Sequence, residues 1–203
     1  MSNDRRSEIV YATLELAAEN GLGTVSMQQI ADRIGITKAS LYNHFSSRDE
    51  IVDEMYKTLR QASKERADIG TVDYDGLASD GTMRDVLLKA VENYRILVRD
   101  PQMILFYKII MSERSIDTNA SEIMIKETET MVDATKKLFS ALQRKGKAEF
   151  ENLDSAAFSF AMAVHSIIDY EFDLRFTGTG IGKDLMADFV DEFCRIYSRN
   201  GGE

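Results

Sequence analysis

The chain has 203 residues, 44 % of them hydrophobic, which is enough to bury a real core and excludes a disordered polymer. Its one cysteine, Cys194, excludes an internal disulfide and fits a reducing compartment, and its net charge of −9 argues at first sight against nucleic acid. One proline and no strict alternation of β-branched residues point to an all-α fold of about nine helices.

The opening Met1-Ser2-Asn3-Asp4-Arg5-Arg6 carries no apolar signal core, and no window approaches the ~20 apolar residues of a membrane span. The expectation is a soluble, cytoplasmic protein with no membrane partner. A first helix runs from about Asp4 to Asn20, with Ile9, Thr13, Leu16 and Ala17 on one face, and Gly21 and Gly23 end it. Ser26-Met27-Gln28-Gln29 is a capping box. It opens a short helix with Ile30, Ala31 and Ile34 inward, broken by Gly35. Thr37 is the N-cap of a third helix over Lys38 to Phe45. Ser47-Arg48-Asp49-Glu50 is another capping box. It starts a fourth helix, reaching Ala67, with Ile51, Val52, Met55, Tyr56 and Leu59 on one stripe.

Residues 68–81 are rich in Gly and Asp without period and read as a loop. Helices follow over 82–99 and from Pro101, where Asp100 is an N-cap. Nearly every residue from Met103 to Met111 is apolar, the mark of a buried central helix. A long helix over 120–145 carries the seam Met124, Thr128, Met131, Thr135, Leu138 and Leu142, and Gly146 ends it. The last two helices run from Leu153 to about Phe176, and from Ile181 or Lys183 to Ser198.

Residues 26–45 read as a helix-turn-helix. Two short helices crossing steeply need a small residue at their contact, a glycine in the turn and an apolar anchor in the second helix. Ala31, Gly35 and Leu41 meet those needs, with Ser26 and Thr37 as caps and Phe45 closing the wedge. With Leu41 and Phe45 inward, Ala39 and Asn43 face out, flanked by Ser40 and Tyr42. Lys38 lies at the exposed start. Such residues suit a major groove: Asn43 can pair with adenine, Lys38 can reach guanine or a phosphate, and Ala39 can touch a thymine methyl. Arg48 is placed for a phosphate. Residues 1–48 hold five basic groups (Arg5, Arg6, Arg33, Lys38, Arg48) and five acidic ones (Asp4, Glu8, Glu15, Glu19, Asp32), so the rest of the chain carries the whole −9.

The run IADRIGITKASLYNHFSSRDEIV resembles the most characteristic part of the TetR (tetracycline-repressor) family's N-terminal domain, and the likeness extends from Arg6 to Leu59. The resemblance implies a helix-turn-helix domain over 1–48 (family-type domain about 4–63, motif 26–45) and a helical effector-binding and dimerisation domain over 49–203. It implies DNA contacts from Gln28, Lys38, Ala39, Ser40, Tyr42, Asn43, His44 and Arg48. Met27 stands where a smaller polar residue is commoner. The implied partners are a palindromic DNA operator, a second copy of the chain and a small, largely apolar effector; no cofactor is implied.

Other residues carry weaker signals. His44 and His165 lie far apart with no cysteine pair, so no metal-ligand spacing exists, and nothing supports a catalytic site. His165 reads as a hydrogen-bonded core or interface residue and, second, as a pocket residue. Tyr94, Met103, Phe106, Tyr107, Ile110 and Met131 are either plain core or the lining of an effector pocket. Small residues Ala157 and Ala161 and the stripe Phe189, Val190 and Phe193 suggest a two-fold four-helix interface. The leading expectation is a homodimeric repressor that an effector releases by moving the fourth helix and changing the spacing of the two third helices, roughly 34–36 Å on the operator. The alternative is a helical dimeric interaction or ligand-binding module without specific DNA binding.

Overall fold

A computed structural model describes residues 2–66, 72–180 and 182–199. Among them are ten α-helices: α1 (Ser2–Asn20), α2 (Met27–Arg33), α3 (Lys38–Tyr42), α4 (Arg48–Arg66), α5 (Tyr74–Ser79), α6 (Met83–Val98), α7 (Pro101–Glu113), α8 (Thr118–Arg144), α9 (Leu153–Phe176) and α10 (Leu185–Tyr197). A 3-10 turn, Leu22–Thr24, joins α1 to α2. The fold is all-α, as composition indicates. Ala67, residues 68–71 and Ile181, expected at a helix end, in a loop and at a helix start, lie outside the described residues.

The tenth helix corrects the expected loop over 68–81. Asp73, counted there as a loop residue, is an N-cap: its Oδ1 accepts the Gly76 N–H at 3.0 Å, and the short α5 buries Ala78 completely. A six-residue helix has too few apolar positions to show a period.

The chain forms two compact units: residues 1–70 with 96–126, and residues 71–95 with 127–203. In the first, α7 packs on α1 and α4. Ile9, Leu41, Ile51, Leu59, Phe106 and Ile110 are all fully buried in one core. The apolar character of α7 is explained by that position.

The second unit is centred on rings. Phe139 of α8 stacks on Phe150 at 4.6 Å, and Phe193 of α10 meets Phe160 of α9 at 4.8 Å. Such pairs add about 0.5–1.5 kcal/mol each beyond their buried area. The end of α10 is tied down by main-chain bonds from Glu149 N–H to the Tyr197 carbonyl (2.9 Å) and from Arg199 N–H to the Lys147 carbonyl (3.2 Å). An ion pair between Arg95 and the buried Glu171 links α6 to α9.

That ring cluster takes in much of the stripe expected at a dimer surface. Ala157, Ala161, Val190 and Phe193 are buried within the protomer, and Phe189 is half-buried with its ring 5.4 Å from Phe160. On α10, Phe193 meets Phe139 of α8 and Phe160 of α9, and Phe189 meets Phe160, all within one chain.

Candidate nucleic-acid interface

Three short-range devices shape the helix-turn-helix. Ser26 and Gln29 form the reciprocal capping box: Ser26 Oγ accepts the Gln29 N–H (3.3 Å), and Gln29 Oε1 accepts the Ser26 N–H (2.9 Å). At the other end of α2, Gly35 adopts φ +69°. Its N–H bonds to the Asp32 carbonyl, and the Ile36 N–H bonds to the Ala31 carbonyl. This is a Schellman stop, which needs a left-handed residue at that point. No atom lies within 4 Å of where a Cβ on Gly35 would sit, so the requirement is conformational, with no close approach involved. Thr37 then caps α3, its Oγ1 accepting the Ser40 N–H at 3.1 Å. Ala31, Leu41 and Phe45 are buried to within 1 % and hold the crossing.

α3 ends at Tyr42, earlier than the expected Phe45. The Asn43 N–H turns to the Ser40 carbonyl (3.2 Å) and the His44 N–H to the Leu41 carbonyl (2.9 Å), a tightened last turn. Asn43 is thus the C-cap. Lys38, Ala39, Tyr42 and Asn43 are exposed on one outward surface, and Ser40 and His44 are half-buried beside it. Gln28 is exposed on α2, where its Nε2 donates to Asp32 Oδ1 at 2.7 Å.

Arg48 points elsewhere. Its Nη1 donates to the Leu22 carbonyl (3.3 Å) and its Nη2 to Asp117 Oδ2 (3.0 Å). The phosphate role expected for it meets an arginine already engaged inside its own unit.

Charge on this face is sparse. Arg5 pairs with Glu8, Arg6 with Glu50 and Glu54, Arg33 with Glu15 and Glu19, and Arg48 with Asp117. Among the described basic residues up to Arg48, Lys38 alone forms no ion pair. The Ser46 N–H and hydroxyl, helped by Arg6, hold the Glu50 carboxyl below its usual range, and Arg33 does the same to Glu19.

Arg6 is a residue that sequence reasoning missed. Its guanidinium lies 3.9 Å from the Phe45 ring centroid and donates to the His44 carbonyl, fixing the segment after α3 onto α1. The contact spans 38 residues, so no local pattern announces it.

The residues expected in an effector pocket fall in both units. Met103, Phe106 and Ile110 are packed core of the first, with the Phe106 ring 6.0 Å from Tyr56 and 6.1 Å from the half-buried Tyr107. Tyr94, Met131 and His165 belong to the second. His165 Nε2 lies 3.5 Å from Asp169 Oδ2. Two open clefts on the second unit, of about 280 and 510 Å³, are lined by other residues, among them Val132, Lys136 and Phe158 in one and Tyr74, Lys137 and Arg144 in the other. Among the described residues no helix is long and apolar enough to cross a membrane, and no group of His, Cys, Asp and Glu is set to hold a metal ion.

The family model for bacterial regulatory proteins of the tetR family matches residues 9–55, and that for the AefR-like transcriptional repressor C-terminal domain matches residues 85–199. The chain is 42 % identical over 55 residues to the HTH-type transcriptional repressor KstR2 of Mycobacterium tuberculosis, covering 27 % of this chain and 28 % of that one. It is 34 % identical over 74 residues to the HTH-type transcriptional activator FasR of Mycolicibacterium smegmatis, covering 32 % and 34 %. The matched stretches thus span about a third or less of these relatives. Among solved structures, the flavonoid-responsive regulator FrrA superposes with a TM-score of 0.75 over 98 % of this chain and 100 % of that one, at 16 % identity, a likeness of fold. With one family model covering the helix-turn-helix and the other more than half of the chain, the protein belongs to the TetR family of bacterial transcriptional regulators, which are not enzymes.

Proposed function

We propose that this chain is a sequence-specific DNA-binding transcriptional repressor that acts as a homodimer on a palindromic operator and is released by a small-molecule effector. One observation carries the DNA-binding part. Lys38, Ala39, Tyr42 and Asn43 are exposed together on a segment that Leu41 and Phe45 anchor from the buried side. Gln28, Ser40 and His44 border that face and complete the set of contacts. Residues 1–48 form the reading head, and 49–203 supply the dimer surface and the effector site.

The dimer reading moves from the buried stripe to the outer face of α9. Phe158, Met162, His165, Asp169, Phe172 and Phe176 recur there at spacings of four and three. Phe158 is 53 % and Phe176 82 % exposed, and Ile196 on α10 is 64 % exposed. A second copy would cover such a face. The effector reading rests on family membership and on relatives such as FrrA, described as flavonoid-responsive.

Selection from a randomised duplex library with the purified protein tests the proposal. The expected result is an enriched inverted repeat bound by two chains. The paired state of most head cations favours the competing reading, a dimer without specific DNA binding. A protein that enriches no duplex at low salt would establish that reading instead.

A further inference from the structure

The inward turn of Arg48 has a partner that deepens the DNA-binding reading, on which the following rests. Arg48 stands at the first residue of α4. Its two terminal nitrogens join separate places: the Leu22 carbonyl in the turn before α2, and the Asp117 carboxylate just before α8. Asp117 is itself fixed, because its other oxygen accepts the Ala120 N–H (3.1 Å) and caps α8. A neighbouring bond repeats the connection: Asn119 Nδ2 donates to the Asp49 carbonyl at 3.3 Å. The side chains of Arg48 and Asp117 are only 26 % and 18 % exposed, so water screens the pair weakly.

We infer that Arg48 serves DNA binding as a positioning residue, acting through Asp117 to hold the α1–α2 turn and the start of α4 against the start of α8, so that α3 is presented at a fixed angle. A phosphate contact by Arg48 would require this pair to open. The two roles predict opposite effects at Asp117. Neutralising an acid near DNA strengthens binding on charge grounds alone. If Asp117 holds the head in place, the same change weakens it.

The test uses the full-length protein and a duplex that the wild type has enriched from a random library. Asp117→Asn keeps an oxygen to cap α8 and leaves the Asp49 contact of Arg48 in place (3.4 Å), while removing the charge that ties Arg48 to the start of α8. It should lower affinity roughly tenfold, the scale of coupling within one hydrogen-bonded charge pair. Arg48→Gln should weaken binding by a similar factor. The double variant should be no worse than either single one, and the dependence of affinity on salt should be unchanged throughout. Circular dichroism confirms that each variant keeps its helices. Unchanged or tighter binding by Asp117→Asn overturns the inference. So does an Arg48→Gln variant whose salt slope falls by about 0.9 per head, the mark of a lost phosphate contact. A wild type that enriches no duplex overturns the DNA-binding reading, and this role with it, so the two failures are distinguishable.

Discussion

The head and the α9–α10 region achieve order by opposite means. In the head, helices of five and seven residues are set by side chains that cap the backbone within three or four positions. In α9 and α10, helices of 24 and 13 residues are held by phenyl rings that meet from distant parts of the chain. The head therefore spends few side chains on its own shape and leaves a polar face outward. The C-terminal helices turn Phe160, Ile168, Val190 and Phe193 inward, and what remains exposed includes an apolar band on α9 with Phe158 and Phe176. A cap signal in a sequence locates a helix start. An amphipathic stripe says only that something is buried, without saying by which surface.

The largest test of this contrast is Leu41→Asp. A carboxylate in a fully buried site with no partner should destabilise the first unit by about 5 kcal/mol and abolish its cooperative melting. A stable head after this change would deny that Leu41 anchors the turn. Phe193→Ala comes next. Because Phe193 packs within its own chain, the loss should be about 3–4 kcal/mol of protomer stability in a denaturant titration. A fully stable but monomeric variant would return the stripe to the dimer interface. Phe176→Arg, on the exposed band, should do the reverse, shifting sedimentation towards the monomer with melting of the protomer unchanged.

Asn43→Ala should leave stability alone and reduce operator affinity by about 1–3 kcal/mol, read by fluorescence anisotropy. The smallest effect concerns acid. The Glu50 carboxyl lies below its usual range because Ser46 donates to it. A lowered folded-state pKa stabilises the head above the unfolded-state carboxylate range, and that contribution disappears as pH falls through the lowered value. Melting curves below neutral pH should show this loss, and Glu50→Gln should flatten it. Glu50 is largely open to solvent, so the change is small.

Much of the head was legible because its determinants are close in sequence. Ser26 with Gln29, Gly35 and Thr37 all do what their residue types suggest. Leu41 and Phe45 keep a helical spacing, which carries the expected end of α3 to Phe45, but the chain between them tightens into a turn and the helix stops three residues earlier, at Tyr42. Local position alone places Arg48 for a phosphate, while its partner, Asp117, lies 69 residues away where no local pattern reaches. Arg6 escaped notice for the same reason. In the second unit the stripe on α10 was visible, but its neighbours Phe139, Phe150 and Phe160 were not, since no local rule links residues that far apart. The exposed set on α9 was present in the spacing from Phe158 to Phe176 and was obscured by the more conspicuous alanines beside it.

The central claim is that the exposed face of α3 reads DNA while its buried face only builds the turn. Sequencing the duplexes enriched by the wild type and by Asn43→Ala tests it most directly. The account predicts an inverted repeat for the wild type, with half-sites about one helical turn apart, and the same repeat for the variant with one position in each half relaxed. An identical repeat from both proteins, with every position retained, would contradict it.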